Sequence, residues 1–119
     1  MTMTLYGIKQ CDTCRKARKH LEAAGIKARF VDLRADALDD RGLLDASLLD
    51  HFMAQADWSM LVNKRSTTWR QLPQEEREPL DQQRARTLLR QYPTLLKRPL
   101  LDTGKTIILG FDAKQYAAL

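Results

Sequence analysis

Met3-Thr4-Leu5-Tyr6-Gly7-Ile8-Lys9-Gln10-Cys11-Asp12-Thr13-Cys14-Arg15-Lys16-Ala17 is the stretch on which the fold turns. Leu5, Tyr6 and Ile8 favour extended backbone, so 3–8 reads as a short strand ending at the Lys9-Gln10-Cys11 loop. Cys14, Ala17, Leu21 and Ala24 then follow at spacings of three, four and three, which is one apolar stripe on a helix over 12–24. Gly25 stands where a helix needs a left-handed residue to end. Ala-Arg-Phe-Val-Asp-Leu at 28–33 reads as a second strand. Strand, helix and strand in that order predict a parallel pair joined by a right-handed crossover.

Outward from this unit, turn-forming residues (Asp36, Asp39, Asp40, Gly42) mark 34–44 as a loop. Asp45 is placed to cap a helix over 46–57 that turns Leu48, Leu49, Phe52, Met53 and Ala56 inward. A helical turn at 59–62, a polar loop at 63–68 and an acidic connector at 73–79 follow. Asp81 is placed to cap a helix over 82–92 carrying Ala85, Leu88, Leu89 and Tyr92, which Pro93 helps to stop. The end reads as a strand from Pro99, a turn at 102–105, a partner strand over 106–109 and a helix capped by Asp112 that carries Tyr116 and Leu119. The expected architecture is α/β: a mixed four-stranded sheet with helices around it, one domain over 1–119.

The 119 residues are 44% hydrophobic and 29% charged, ordinary for a globular chain and unlike a disordered, collagenous or coiled-coil one. No apolar run reaches the roughly 18 residues of a membrane span. The segment Met1–Tyr6 has neither a basic n-region nor a long apolar run, so the expected location is cytoplasmic. Nothing in the composition calls for more than a monomer. The net charge of +5 is concentrated: residues 9–29 hold seven bases and two acids, and the rest of the chain balances. A second basic stretch holds Arg84, Arg86, Arg90, Lys97 and Arg98, and Arg84, Arg86 and Arg90 read as a solvated helix face rather than a nucleic-acid surface.

Both cysteines of the chain, Cys11 and Cys14, fall inside the basic segment as a C-x-x-C pair. Two thiols do not complete a zinc site, and His20 and His51 are the only histidines, so no metal is expected. In a reducing compartment such a pair beside a strand–helix–strand unit reads as a redox motif. The thiolate is the reactive form. Cys11 stands where the helix opens, and there unpaired amides and the helix dipole favour a negative sulfur. Lys9, Arg15 and Lys16 should add positive potential, with Asp12 opposing them. Cys14, one turn on and on the apolar stripe, should be sheltered. An exposed acidic thiol followed by a buried one is the asymmetry of an attacking and resolving pair. Pro99 at a strand start, with Arg98 before it, is the second candidate position; Arg98 is the best single anion-binding residue outside the thiol helix.

The run from Tyr6 to Ala17, Thr67-Thr68-Trp69-Arg70-Gln71-Leu72, Lys97-Arg98-Pro99 and Gly110-Phe111-Asp112 together resemble the arsenate reductase (ArsC)/Spx family, and within it the YffB-like branch. The resemblance covers essentially the whole chain, with 38–44 as a small insertion. It implies a thioredoxin-like fold with a helical insertion over about 36–92, a catalytic Cys11 and a cis Pro99 beside it. It implies glutathione-dependent thiol reduction, with no bound cofactor and glutathione as co-substrate. Glutaredoxin-coupled arsenate reductases of this family hold the oxyanion with three arginines. Arg98 matches one of them; the second position holds Asn63, with Arg65 nearby, and the third falls near Gly110. Spx regulators share the C-x-x-C but have a longer C-terminal tail, whereas this chain stops at Leu119. The glycine they use against RNA polymerase corresponds to Asp57.

Three functions follow as expectations. The first is a thiol–disulfide oxidoreductase with Cys11 as nucleophile, Cys14 as resolver, and Arg98, Arg65 and Lys9 available to the carboxylates of glutathione. The second is arsenate reduction coupled to glutaredoxin. The third is a redox-responsive regulator that docks on RNA polymerase. No direct nucleic-acid or membrane partner is expected.

Overall fold

The computed structural model describes residues 3–119. Met1 and Thr2, part of the segment read above for a targeting signal, lie outside the described residues. The chain forms two compact units, one from 3–36 with 98–119 and one from 37–97.

The first unit is built on four strands: β1 (Met3–Gly7), β2 (Ala28–Asp32), β3 (Leu100–Asp102) and β4 (Ile107–Leu109). Their order is β2-β1-β3-β4, with β1 parallel to β2 and antiparallel to β3, and β3 antiparallel to β4. Helix α1 (Asp12–Ala23) makes the crossover between β1 and β2. The expected stripe holds for Cys14, Ala17 and Leu21, which are buried, whereas Ala24 is exposed. Ala24 is the C-cap, where the helix has already begun to turn away. Gly25 follows at φ +73°; its N–H donates to the Glu22 carbonyl and that of Ile26 to the Leu21 carbonyl, at 3.0 and 2.9 Å. These two bonds close the helix end, with Ile26 packed back on Leu21. Ala17 and Leu21 join Leu5, Leu101 and Tyr116 in one cluster between helix and sheet. Tyr116 comes from α7 (Ala113–Ala117), whose first turn is capped by Asp112 accepting from Lys114 N at 2.9 Å. Leu119, expected on this helix with Tyr116, lies beyond its end at Ala117 and is 40% exposed.

The second unit is helical. It contains α2 (Ala46–Gln55), α3 (Trp58–Leu61), α4 (Thr67–Gln71), α5 (Gln74–Arg77) and α6 (Gln82–Gln91), with a 3-10 turn over Pro93–Leu95. Asp45 and Asp81 cap α2 and α6 as expected, accepting from Leu48 N and Arg84 N. Three expectations change. The helix begun at 46 stops at Gln55 rather than 57, because Ala56 is extended and Asp57 starts a new cap with Ser59 N. The loop at 63–68 ends early, since the Ser66 hydroxyl accepts from Trp69 N and opens α4. The connector at 73–79 holds the single turn α5, with Glu75 and Glu76 in the first turn, where the helix dipole favours acids.

The basic stretch of α6 is engaged within this unit. Arg86 forks onto Asp50 at 2.9 and 3.3 Å. Arg90 donates to Asp39 at 2.7 Å and to the Leu44 carbonyl at 3.0 Å. These guanidiniums are structural ties rather than a free cationic face. No helix among the described residues is long and apolar enough to cross a membrane.

Candidate active site

Strand β1 ends at Gly7, and a turn closed by Cys11 N donating to the Ile8 carbonyl at 3.1 Å delivers the chain to α1. Gln10 in this turn accepts from Arg34 of the segment after β2 at 3.2 Å, which ties the turn to the far end of the crossover. Cys11 is the N-cap residue of α1, with extended backbone, and is half-buried. Its neutral thiol makes no capping bond. Burial pushes its acidity toward the neutral form. The Cys14 N–H, the Cys14 thiol, the Arg98 guanidinium and the Thr13 N–H act against that and win, so Cys11 lies below an ordinary thiol. The amides are those of the second and third helical positions, which point at whatever caps the helix.

Cys14 is buried and moves the opposite way. Burial is the main cause; the Ile8 N–H and Arg98 favour its anion, while the Cys11 sulfur as hydrogen-bond partner and as charge opposes it, and the thiol is pushed up to about 12. Cys11 at the helix N-cap and Cys14 buried one turn on are thus pushed in opposite directions, the first toward its anion and the second toward its thiol.

The positive charge acting on Cys11 differs from the expected one. Arg15 turns to Asp12 and pairs with it, so both the nearest acid and a nearby base are taken out together. Lys9 and Lys16 are exposed. The charge comes from Arg98, which enters the first unit just before β3. The Arg98–Pro99 peptide is cis, Pro99 is buried, and its carbonyl accepts from Gly110 N at 2.8 Å. Gly110 has φ +75°, which accounts for a glycine in the Gly-Phe-Asp motif. Arg65 belongs to the second unit, exposed in the turn before α4, with its N–H on Asn63 Oδ1. Asp57 caps α3, its carboxylate accepting from Ser59 N.

Reasoning from the sequence missed four contributors. Ile8 and Thr13 act through backbone amides, which carry no residue signature. Tyr116 is buried, with its hydroxyl unpartnered, and packs against His20 and Phe111 with ring centroids 5.8 and 4.9 Å away. Gly7 is the fourth: a Cβ there would stand 2.6 Å from the Cys14 sulfur. A glycine inside a strand signals close approach, so this one was open to inference. Among the described residues no three His, Cys, Asp or Glu side chains gather as metal ligands would.

Residues 6–119 match the ArsC family. The chain belongs to the ArsC family. It is 44% identical to an uncharacterised protein of Haemophilus influenzae over 117 residues, covering 98% of this chain and 96% of that one. The YusI protein of Bacillus subtilis is 27% identical over the same length and shares. Among solved structures, the YFFB protein superposes with a TM-score of 0.86 at 34% identity, over 98% of this chain and 96% of its own. An arsenate reductase-related protein from Brucella melitensis gives 0.77 at 40% identity, over 99% and 93%. An arsenate reductase from Vibrio cholerae is 14% identical with a TM-score of 0.74, over 99% and 97%, a likeness of fold alone. The sheet order and the ArsC-family likeness make the fold thioredoxin-like, with a helical insertion. The family is arsenate reductase-like and redox-enzyme-like in character.

Proposed function

We propose that this ArsC-family protein is a thiol–disulfide oxidoreductase that uses glutathione as co-substrate. One observation carries the reading: Cys11 stands half-buried at the N-cap of α1 and Cys14 lies buried one turn on, surroundings that push the first thiol down and the second up. A pair with equal acidities would have no preferred attacker; this one does.

The Cys11 thiolate attacks one sulfur of a disulfide substrate. A Cys11–substrate disulfide forms, the substrate S–S bond breaks, and the leaving thiolate takes a proton from water. Cys11 is then no longer anionic. Its charge and its hydrogen bond, both of which held the proton on Cys14, are gone. Ile8 N–H and Arg98 remain to favour the Cys14 thiolate. Cys14 attacks the Cys11 sulfur, releases the second substrate thiol with the proton it gave up, and leaves a Cys11–Cys14 disulfide. Two glutathione molecules return the pair to dithiol and become glutathione disulfide, so two electrons enter and two leave. Arg98, with Lys9 as a further cation, is assigned to the carboxylates of glutathione. Glutaredoxin is the alternative relay in place of the second glutathione.

Intact and peptide mass spectrometry of the reduced protein after glutathione disulfide treatment tests this. Glutathione on Cys11, or an internal bridge, supports it; two untouched thiols refute it. Cys11→Ser should abolish turnover. Cys14→Ser assigns the resolving step: loss of turnover gives it to Cys14, and retention gives it to glutathione. Arsenate reduction is the second reading, favoured by the same Arg98 charge on Cys11. Arsenate-dependent NADPH consumption, with glutathione and glutaredoxin supplied, is its assay.

A further inference from the structure

We propose that Gly7 is a positioning residue for the thiol pair: its missing side chain seats the Cys14 sulfur against the end of β1, within reach of both the Ile8 amide and the Cys11 sulfur. The inference rests on the thiol–disulfide reading for its functional meaning. The geometry is specific. A Cβ at Gly7 would meet the Cys14 sulfur at 2.6 Å, the Cys14 Cβ at 3.2 Å and the Phe30 ring at 3.5 Å. The last is ordinary contact, the second needs a few tenths of an ångström of relief, and the first is closer than side chains tolerate. Gly7 is the last residue of β1, paired to Asp32 of β2, and its carbonyl accepts from Leu33 N at 2.8 Å, so this end of β1 has no freedom to withdraw. Cys14 has none either, because it is fully buried on α1. The backbone at Gly7 is not left-handed, so conformational freedom does not explain the glycine; space does.

A methyl group at position 7 therefore displaces the sulfur. Cys14 then loses its fit to the Ile8 N–H and to the Cys11 sulfur, and Cys11 loses one of the groups that favour its anion. Gly7 acts through Cys14 and touches no substrate.

The experiment compares wild type, Gly7→Ala, Cys14→Ala and the double variant. Alkylation of Cys11 by iodoacetamide is followed against pH, and thermal midpoints are measured alongside. In Gly7→Ala the Cys11 alkylation midpoint should rise by about one pH unit, cutting its neutral-pH reactivity about tenfold. In the Cys14→Ala background the same substitution should leave the midpoint unchanged and cost less stability, because the sulfur it strikes is gone. A merely structural glycine would lower stability equally in both backgrounds and leave the midpoint alone, and that result overturns the proposal. Should Gly7→Ala fail to fold, folding of the double variant supports the sulfur contact; failure of both overturns it. A wild-type Cys11 that titrates as an ordinary thiol would refute the thiolate reading, while the stability comparison still decides the role of Gly7.

Discussion

The Arg98 guanidinium favours the Cys11 thiolate although the whole helical unit separates the two residues in sequence. Arg15 and Asp12, which adjoin Cys11, spend their charges on each other. The groups that favour the Cys11 anion are therefore the amides and the Cys14 thiol at the start of α1 and a guanidinium just before β3, not the lysines and arginines that crowd the motif in sequence.

Removing that charge gives the first prediction. Arg98→Gln should raise the pH midpoint of Cys11 alkylation by about half to one pH unit, since loss of a nearby cation disfavours the anion. Arg98→Lys should recover part of the effect as a point charge. Lys9→Gln should move the midpoint much less. Equal shifts for Lys9 and Arg98 would refute the assignment.

The two thiols also predict a pH dependence of stability. Cys11 is lowered in the folded protein, so its contribution is present above the ordinary 9.0 and fades as pH falls through its own lower value. Cys14 is raised to about 12, so its contribution is present below 9.0 and is lost between 9.0 and about 12. A single proton carries at most ~1.4 kcal/mol per pH unit, and solvent screening around the pair reduces that. Urea midpoints under reducing conditions should fall from pH 9 upward, and less steeply in Cys14→Ala. Parallel slopes in the two proteins would contradict the raised thiol.

Tyr116 offers a stability gain. Its ring is 1% exposed and its hydroxyl has no partner, so folding strips water from the group without replacing the bond. Tyr116→Phe keeps the packing on His20 and Phe111 and removes that penalty. Urea unfolding should show an increase of about 1 kcal/mol. A loss of that size would mean the hydroxyl is satisfied after all.

In the helical unit, two arginines of α6 should differ. Arg90 is the more enclosed, and its guanidinium reaches both Asp39 Oδ2 and the Leu44 carbonyl, so Arg90→Ala removes both of these bonds and leaves Asp39 only the Arg41 and Leu43 amides on Oδ1. Arg86 pairs with Asp50 at the surface, where such pairs contribute little. Thermal denaturation should show a drop of several degrees for Arg90→Ala and of about a degree or less for Arg86→Ala.

Local signals in the sequence were enough for β1, α1 and β2. A cluster of β-formers, a stripe at helical spacing and a glycine stop each act within a few residues, and the structure places the elements within one residue of the reading. The caps at Asp45, Asp81 and Asp112 were legible for the same reason, because each side chain serves an amide two or three positions on. The single-turn helices α4 and α5 were not, since five and four residues carry too little periodicity to separate a turn from a loop.

The sequence by itself determined that two thiols sit one turn apart at the start of a helix, and hence which of them faces the helix amides and which faces the core. It could not determine which cation reaches Cys11, because long-range electrostatics depends on distance in space and Arg98 is brought in by the sheet order β2-β1-β3-β4. Nor could it determine how tightly the Cys14 sulfur is held. That depends on how closely the end of β1 packs on α1, so closely that a Cβ at Gly7 would stand 2.6 Å from the Cys14 sulfur, and such a clearance exists only once strand and helix are packed.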